Sequence, residues 1–185
     1  MSENELIQKA VSGDRKSLAD LVKMHEQTVY NFAFKICRDR DKAENTMQET
    51  FYSMIKNLGQ FDQKSKLSTW LYRIAVNHCL MAARQIKKGT FVEPEDDDDL
   101  FDDRYMADWN TLPVKTVEND ELKRILDNAV NKLAPEYRIV FMLRDIEQLS
   151  TEETAKVAGL SVPAVKSRLH RARAFLRKEI TKAFQ

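Results

Sequence analysis

Apolar residues recur along most of this chain at three- and four-residue spacings rather than in alternation, which is the pattern of amphipathic helices. Leu18, Leu21, Val22, Val29, Phe32, Ala33 and Ile36 mark one long helix. Asp14, following Gly13, is its expected N-cap, and Leu6, Ile7, Ala10 and Val11 form a short helix before it. After the break "RDRD" a third helix turns Ala43, Met47, Phe51, Met54, Ile55 and Leu58 inward and stops near Gly59. A fourth runs from about Ser68 to Lys88 with Leu71, Ile74, Ala75 and Leu80 inward. Helical texture resumes near Val117, where Leu122, Ile125, Leu126, Ala129, Val130 and Leu133 share a face. Pro135 then opens a helix carrying Ile139, Val140, Met142 and Leu143. The fold class is all-α, with two small helical domains over residues 1–88 and 118–185.

Between them, "KKGTFVEPEDDDDLFDDRYMADWNTLP" keeps no period, so residues 89–117 are expected to be a flexible acidic linker. Its charge changes the picture of a nearly neutral chain of net +1. Residues 1–88 hold 15 basic and 10 acidic residues, residues 89–120 hold 2 and 11, and residues 121–185 hold 13 and 8. Two bodies of +5 therefore flank a segment of −9, a charge order that motivates the hypothesis of a strap folding back on them in the free protein, without deciding whether it masks them. Asp96–Asp99 read as a solvated acidic tract rather than a metal cage, whereas Phe91, Phe101, Tyr105 and Trp109 suggest that the strap docks on something.

The richest stretch is "LSTEETAKVAGLSVPAVKSRLHRAR". Ser150 and Glu153 make a capping box, Ala155 is small where helices must approach, and Gly159 suits a positive-φ turn with Leu160 beneath it. Ser161 caps the next helix, with Pro163 in its first turn and Val165, Leu169, Ala172 and Leu176 inward. This is a helix-turn-helix, and its second helix packs six cations and no acid into Val165–Lys178. Such a helix fits the DNA major groove: Lys166, Ser167, His170 and Arg171 stand at base-reading positions, and Arg168 and Arg173 suit phosphates.

The first domain carries a different signal. The loop with Lys64, Ser65 and Lys66 leads into a helix displaying Trp70, Tyr72, Arg73, Asn77 and His78. Cations interleaved with aromatics suit an unpaired strand, because any base stacks on an aromatic face while the backbone still needs neutralising. Trp70 and Tyr72 serve equally well as core aromatics on composition alone.

Other classes recede. No window approaches a membrane span, and the N-terminus lacks the layout of a signal peptide, so a cytoplasmic protein with no membrane contact of its own is expected. Cys37 and Cys79 make no CxxC pair and no disulfide framework, and read as reduced, part-buried thiols. No cofactor or metal site is expected. Nor is an enzyme: His25, His78 and His170 are scattered, no Gly-rich phosphate loop appears, and the acids concentrate in the linker.

"LSTWLYRIAVNHCL" together with the helix-turn-helix stretch strongly resembles the extracytoplasmic-function (ECF) group of the sigma-70 superfamily, bacterial transcription initiation factors. The resemblance covers nearly the whole chain, with "SGDRKSLADLVKMHEQTVYNFAFKICRDRDKAENTMQETF" looking like early region 2 and the C-terminal domain like region 4. It implies that the first domain binds the clamp helices of the RNA polymerase β′ subunit through Gln48, Glu49 and Phe51. It further implies −10 reading and melting by Ser68, Thr69, Trp70, Arg73 and Asn77, with Asp62–Leu67 cradling an extruded base, and −35 duplex reading by the second domain. The expected partners are core RNA polymerase, promoter DNA and an anti-sigma factor. The chain departs from the family pattern at Asn45, Thr46, Met81 and Ala134. Two further readings stay open: a stand-alone helix-turn-helix regulator, and a sigma-like decoy for an anti-sigma factor. The first leaves the loop-plus-aromatic segment idle, and the second does not require the cations that the recognition helix carries.

Overall fold

A computed structural model describes residues 2–84 and 120–183, and every regular element among them is helical. The expected linker 89–117 with its aspartates and aromatics, the fourth helix beyond Arg84, Val117 and the side chain of Leu122 lie outside the described residues. The chain divides into two compact units, residues 1–86 with 155–159 and residues 87–154 with 160–185.

In the first unit α1 (Glu3–Val11), α2 (Arg15–Cys37), α3 (Arg40–Asn57) and α4 (Leu67–Ala83) form a bundle. Local chemistry decides where each helix begins. Ser2 and Glu5 form a reciprocal capping box at α1. The Asp14 carboxylate accepts from the Lys16 and Ser17 amides at 3.3 and 3.1 Å, just after Gly13 has turned the chain at φ +98°. Arg38, at φ +56°, ends α2, and Asp39 opens α3 by accepting from the Lys42 amide at 2.9 Å. One residue stops a helix and the next starts another, which is why "RDRD" reads as punctuation. His25 Nε2 lies 2.7 Å from Glu3 Oε1 and ties α1 to α2.

Three expectations are corrected here. Ile55 was expected inward but is 49% exposed, because α3 buries Thr46 and Thr50 along the stripe instead. Those hydroxyls are tolerable inside because they are bonded: Thr50 Oγ1 donates to the Thr46 carbonyl at 2.6 Å, and Thr46 faces two sulfurs. Tyr72 is not displayed but buried, its ring stacked on Phe32 with centroids 4.2 Å apart. Cys37 and Cys79 are not separate thiols: the fold brings the end of α2 against α4, and the two sulfurs are joined in a disulfide. Sequence spacing carries no information about that meeting, since 42 positions separate them.

The second unit contains α5 (Asp120–Lys132), α6 (Pro135–Phe141) running on through a wider helical turn (Met142–Ile146), the start of α7 (Thr151–Ala158) and α8 (Val162–Ala183). Helices α5 and α6 pack on α8 around Leu133, Val140, Val165, Ala172 and Leu176. Arg138, only 1% exposed, stands at the heart of this unit. Its guanidinium donates to the carbonyls of Val130 (3.0 Å), Asn131 (2.9 Å) and Leu133 (2.7 Å). They cluster at the C-terminal end of α5, where the Val130 carbonyl also accepts from the Leu133 amide at 3.3 Å, so one buried cation helps close a helix end.

Candidate nucleic-acid interfaces

The helix-turn-helix is built by its caps. Ser150 Oγ accepts from the Glu153 amide at 3.0 Å while the Ser150 amide donates to Glu153 Oε2 at 2.8 Å, so α7 begins where its capping box directs. Gly159 adopts φ +66° with open space where a Cβ would stand, so the turn needs glycine for its backbone conformation and not for room. Ser161 Oγ then accepts from the Ala164 amide at 3.3 Å and launches α8.

On α8 the buried stripe is Val165, Leu169, Ala172 and Leu176. Lys166 is exposed on another side, with Ser167, Arg168, His170 and Arg171 half-buried. Arg173 is placed differently. Its Nε and Nη2 donate to the two oxygens of Asp145 at 2.9 and 2.5 Å, a forked pair whose side chains are only 12% and 10% exposed. That geometry gives Arg173 a role in the fold, anchoring α8 to the turn that follows α6. Farther along, Glu179 accepts from Lys132 and Lys182 at 2.6 and 3.0 Å, and these bonds, Lys132's first, hold its carboxyl below the usual range. Desolvation, reinforced by Arg173, Arg177 and Arg171, pushes His170 below its ordinary value, so it presents a neutral imidazole at neutral pH.

The second candidate surface lies in the first unit. Phe61 is buried, and Asp62–Lys66 emerge exposed around Gln63, which takes φ +56°. Asp62 organises this loop: its carboxylate accepts from the Lys64 amide at 3.1 Å and pairs with the Lys64 ammonium at 3.4 Å. The backbone bond is the leading reason its carboxyl sits below the ordinary range. Lys66, Trp70, Arg73 and Asn77 follow at spacings of four, three and four, hence on one helical face. Trp70 is half-buried, its ring tilted against Phe61 at 5.2 Å, which leaves it part core and part surface. Ser68 and Thr69 are half-buried, Ser65, Arg73 and Asn77 exposed.

The expected polymerase residues separate. Gln48 and Glu49 are exposed on α3, but Phe51 is buried at 7% and belongs to the core. Beside Gln48 the helix instead exposes Tyr52 (57%) and Ile55 (49%), with Lys56 Nζ 4.9 Å from the Tyr52 ring centre. Sequence reasoning missed this pair; an aromatic at 52 and an aliphatic at 55, one and two turns beyond Gln48, were the available signal. It also missed Arg138 and Asp145, whose partners are set by tertiary contact. Among the described residues, no group of three His, Cys, Asp or Glu stands together as a metal cluster would require.

Comparison with known proteins agrees with this geometry. Residues 21–89 match the family described as Sigma-70 region 2, and residues 123–176 match Sigma-70, region 4. The chain is 31% identical over 177 residues to the ECF RNA polymerase sigma factor SigW of Bacillus subtilis, covering 94% of each chain. It is likewise 31% identical over 169 residues to RNA polymerase sigma factor YlaC of the same organism, covering 91% of this chain and 95% of that one. A solved structure of CnrH in complex with the cytosolic domain of CnrY superposes with a TM-score of 0.66 at 26% identity, covering 97% of both. The chain belongs to the ECF RNA polymerase sigma factors of the sigma-70 family.

Proposed function

We propose that this protein is an alternative sigma factor that binds core RNA polymerase, reads the −10 and −35 elements of a promoter set and starts transcription there, under the control of an anti-sigma factor. The observation that carries the reading is the pair of unlike surfaces: a helix-turn-helix suited to duplex, and a loop with an aromatic-and-cation helix face suited to an opened strand. A repressor needs only the first.

In this reading α8 enters the major groove. Lys166 and Arg171 donate to guanine edges, Ser167 and His170 make short neutral contacts, and Arg168 meets phosphate. Arg173 takes no part in that contact, since its fork closes on Asp145. On the first unit, a base extruded from the −10 strand enters the Asp62–Leu67 loop while Trp70 stacks on its neighbour and Arg73, Lys66 and Lys64 neutralise the backbone. Stacking supplies roughly 1–3 kcal/mol per base, which offsets part of an unstacking cost of a few kcal/mol. Gln48, Glu49, Tyr52 and Ile55 form the face offered to the β′ clamp helices. The chain then works in the cytoplasm, where core polymerase is; no described helix is long and apolar enough to cross a membrane. The family is one of regulators rather than enzymes, and this chain is read the same way. Similarity to CnrH, solved with the cytosolic domain of CnrY, supports a protein partner of this chain.

Run-off transcription with purified bacterial core polymerase on a promoter library tests the proposal. The expected result is initiation from a distinct promoter set, lost in Lys166→Ala/Arg171→Ala and in Trp70→Ala. Binding of duplex by the protein alone at physiological salt, with no initiation, replaces it with a stand-alone regulator. The absence of both leaves a decoy that binds only an anti-sigma factor.

A further inference from the structure

Two cysteines and a threonine meet where three helices of the first unit converge. Cys37 closes α2 and Cys79 lies near the end of α4, their Cα atoms 5.9 Å apart and their sulfurs bonded. That Cα separation is ordinary for a disulfide, so the fold presents the two residues at bonding distance. Between them stands Thr46 of α3, 3% exposed, its hydroxyl 3.7 Å from Cys37 Sγ and 3.9 Å from Cys79 Sγ. The two residues differ in exposure. Cys79 is 4% exposed, whereas Cys37 is half-buried beside the turn at Arg38.

We propose that Cys37 and Cys79 are a reversible dithiol–disulfide couple that sets the stability of the first unit, with Cys37 as the exchanging sulfur and Cys79 as the resolving one. The inference rests on the proposed function in one respect. A partner of core polymerase works where thiols are ordinarily kept reduced, and a disulfide there is usually transient and redox-sensing. The oxidant is a small-molecule disulfide. The Cys37 thiolate attacks one of its sulfurs, forming a mixed disulfide and expelling one thiolate. Cys79 then loses its proton and attacks Cys37 Sγ, expelling the second thiolate. The two cysteines are oxidised to one disulfide, the small disulfide is reduced to two thiols, and the two cysteine protons end on them.

Closing the bond encloses α3, the 61–66 loop and most of α4, and so restricts the unfolded chain. The start of α4 lies about 18 Å along the helix from Cys79, so the couple acts on the stability of the strand-reading face without occupying it.

The test equilibrates the full chain in glutathione buffers of graded oxidised-to-reduced ratio, then measures intact mass and melting. The monomer is expected to become two hydrogens lighter, reversibly, and its first unit to melt about 10 °C or more higher when oxidised. Cys79→Ser should stop as a mixed disulfide on Cys37, and native Cys37→Ser should stay unmodified. Equal labelling of both variants, disulfide-linked dimers in place of the internal bond, or melting indifferent to oxidation each overturns the proposal. Run-off transcription in both redox states separates the two readings: failure in both removes the polymerase reading, and the mass and melting results still decide the couple.

Discussion

The two units place polar groups inside a small helical bundle in different ways. The first buries mostly neutral ones: Thr46 and Thr50 lie inside α3 and bond a backbone carbonyl or sulfur. The second encloses charge: Arg138 on three carbonyls and Arg173 on Asp145. The Arg173 part of the difference follows from α8. A helix with six cations in fourteen positions, one face of which must be buried, needs internal partners for the cations nearest the core. The lesson is that a run of basic residues on a recognition helix is two populations, one facing outward and one serving the fold.

The contrast breaks most severely at Arg138. Arg138→Met removes the donor from three carbonyls and should destabilise the second unit by about 3 kcal/mol or more, with the first unit unaffected. Hydrogen exchange resolved by helix checks this: protection should fall across α5, α6 and α8 and hold in α2–α4. Next comes a pair of substitutions on α8. Arg173→Ala leaves Asp145 buried without its partner and should cost the second unit about 2–3 kcal/mol, visible in its melting. Lys166→Ala should leave melting unchanged and weaken binding to −35 duplex by about 1–3 kcal/mol. If Arg173→Ala melts like the parent, the division of the helix into two populations fails.

Acid should sharpen the same contrast more gently. His170 is held below its ordinary value near 6.5, so the unfolded chain takes up a proton that the folded one resists. The second unit should therefore lose stability as pH falls below that range, with nothing contributed above it. Glu179 works from the other side: its depressed carboxyl adds stability above the ordinary value of 4.5, lost as pH drops through it. Melting curves from neutral to acid pH should show a step that His170→Gln flattens. Smallest is Lys132→Ala, a half-exposed partner of Glu179, which should cost under about 1 kcal/mol and less at high salt.

Much of this was legible beforehand because its causes are local. Asp14, the Ser150–Glu153 box, Gly159 and Ser161 act within a few residues, so the helix boundaries and the helix-turn-helix follow from adjacent chemistry. What escaped depends on long-range meeting. Arg138 reads as a surface cation until the end of α5 is known to lie beside it, and Arg173 reads as a phosphate ligand until Asp145 is placed. Thr46 and Thr50 take buried places on α3 while Ile55 is exposed, an arrangement that apolar spacing alone does not show. Phe51 and Tyr72 show the same ambiguity of aromatics, which suit a partner surface and a core alike.

The most direct test of the central claim, that the two units perform different DNA tasks, is a strand-opening assay on a promoter with core polymerase, reading exposure of unpaired thymines across the −10 element. Trp70→Ala should abolish opening while binding to the −35 duplex persists. Lys166→Ala should weaken recruitment, with opening restored at higher protein concentration. If Trp70→Ala opens the −10 strand as the parent does, or if both variants fail in the same way at every concentration, the two surfaces are not the separate readers described above.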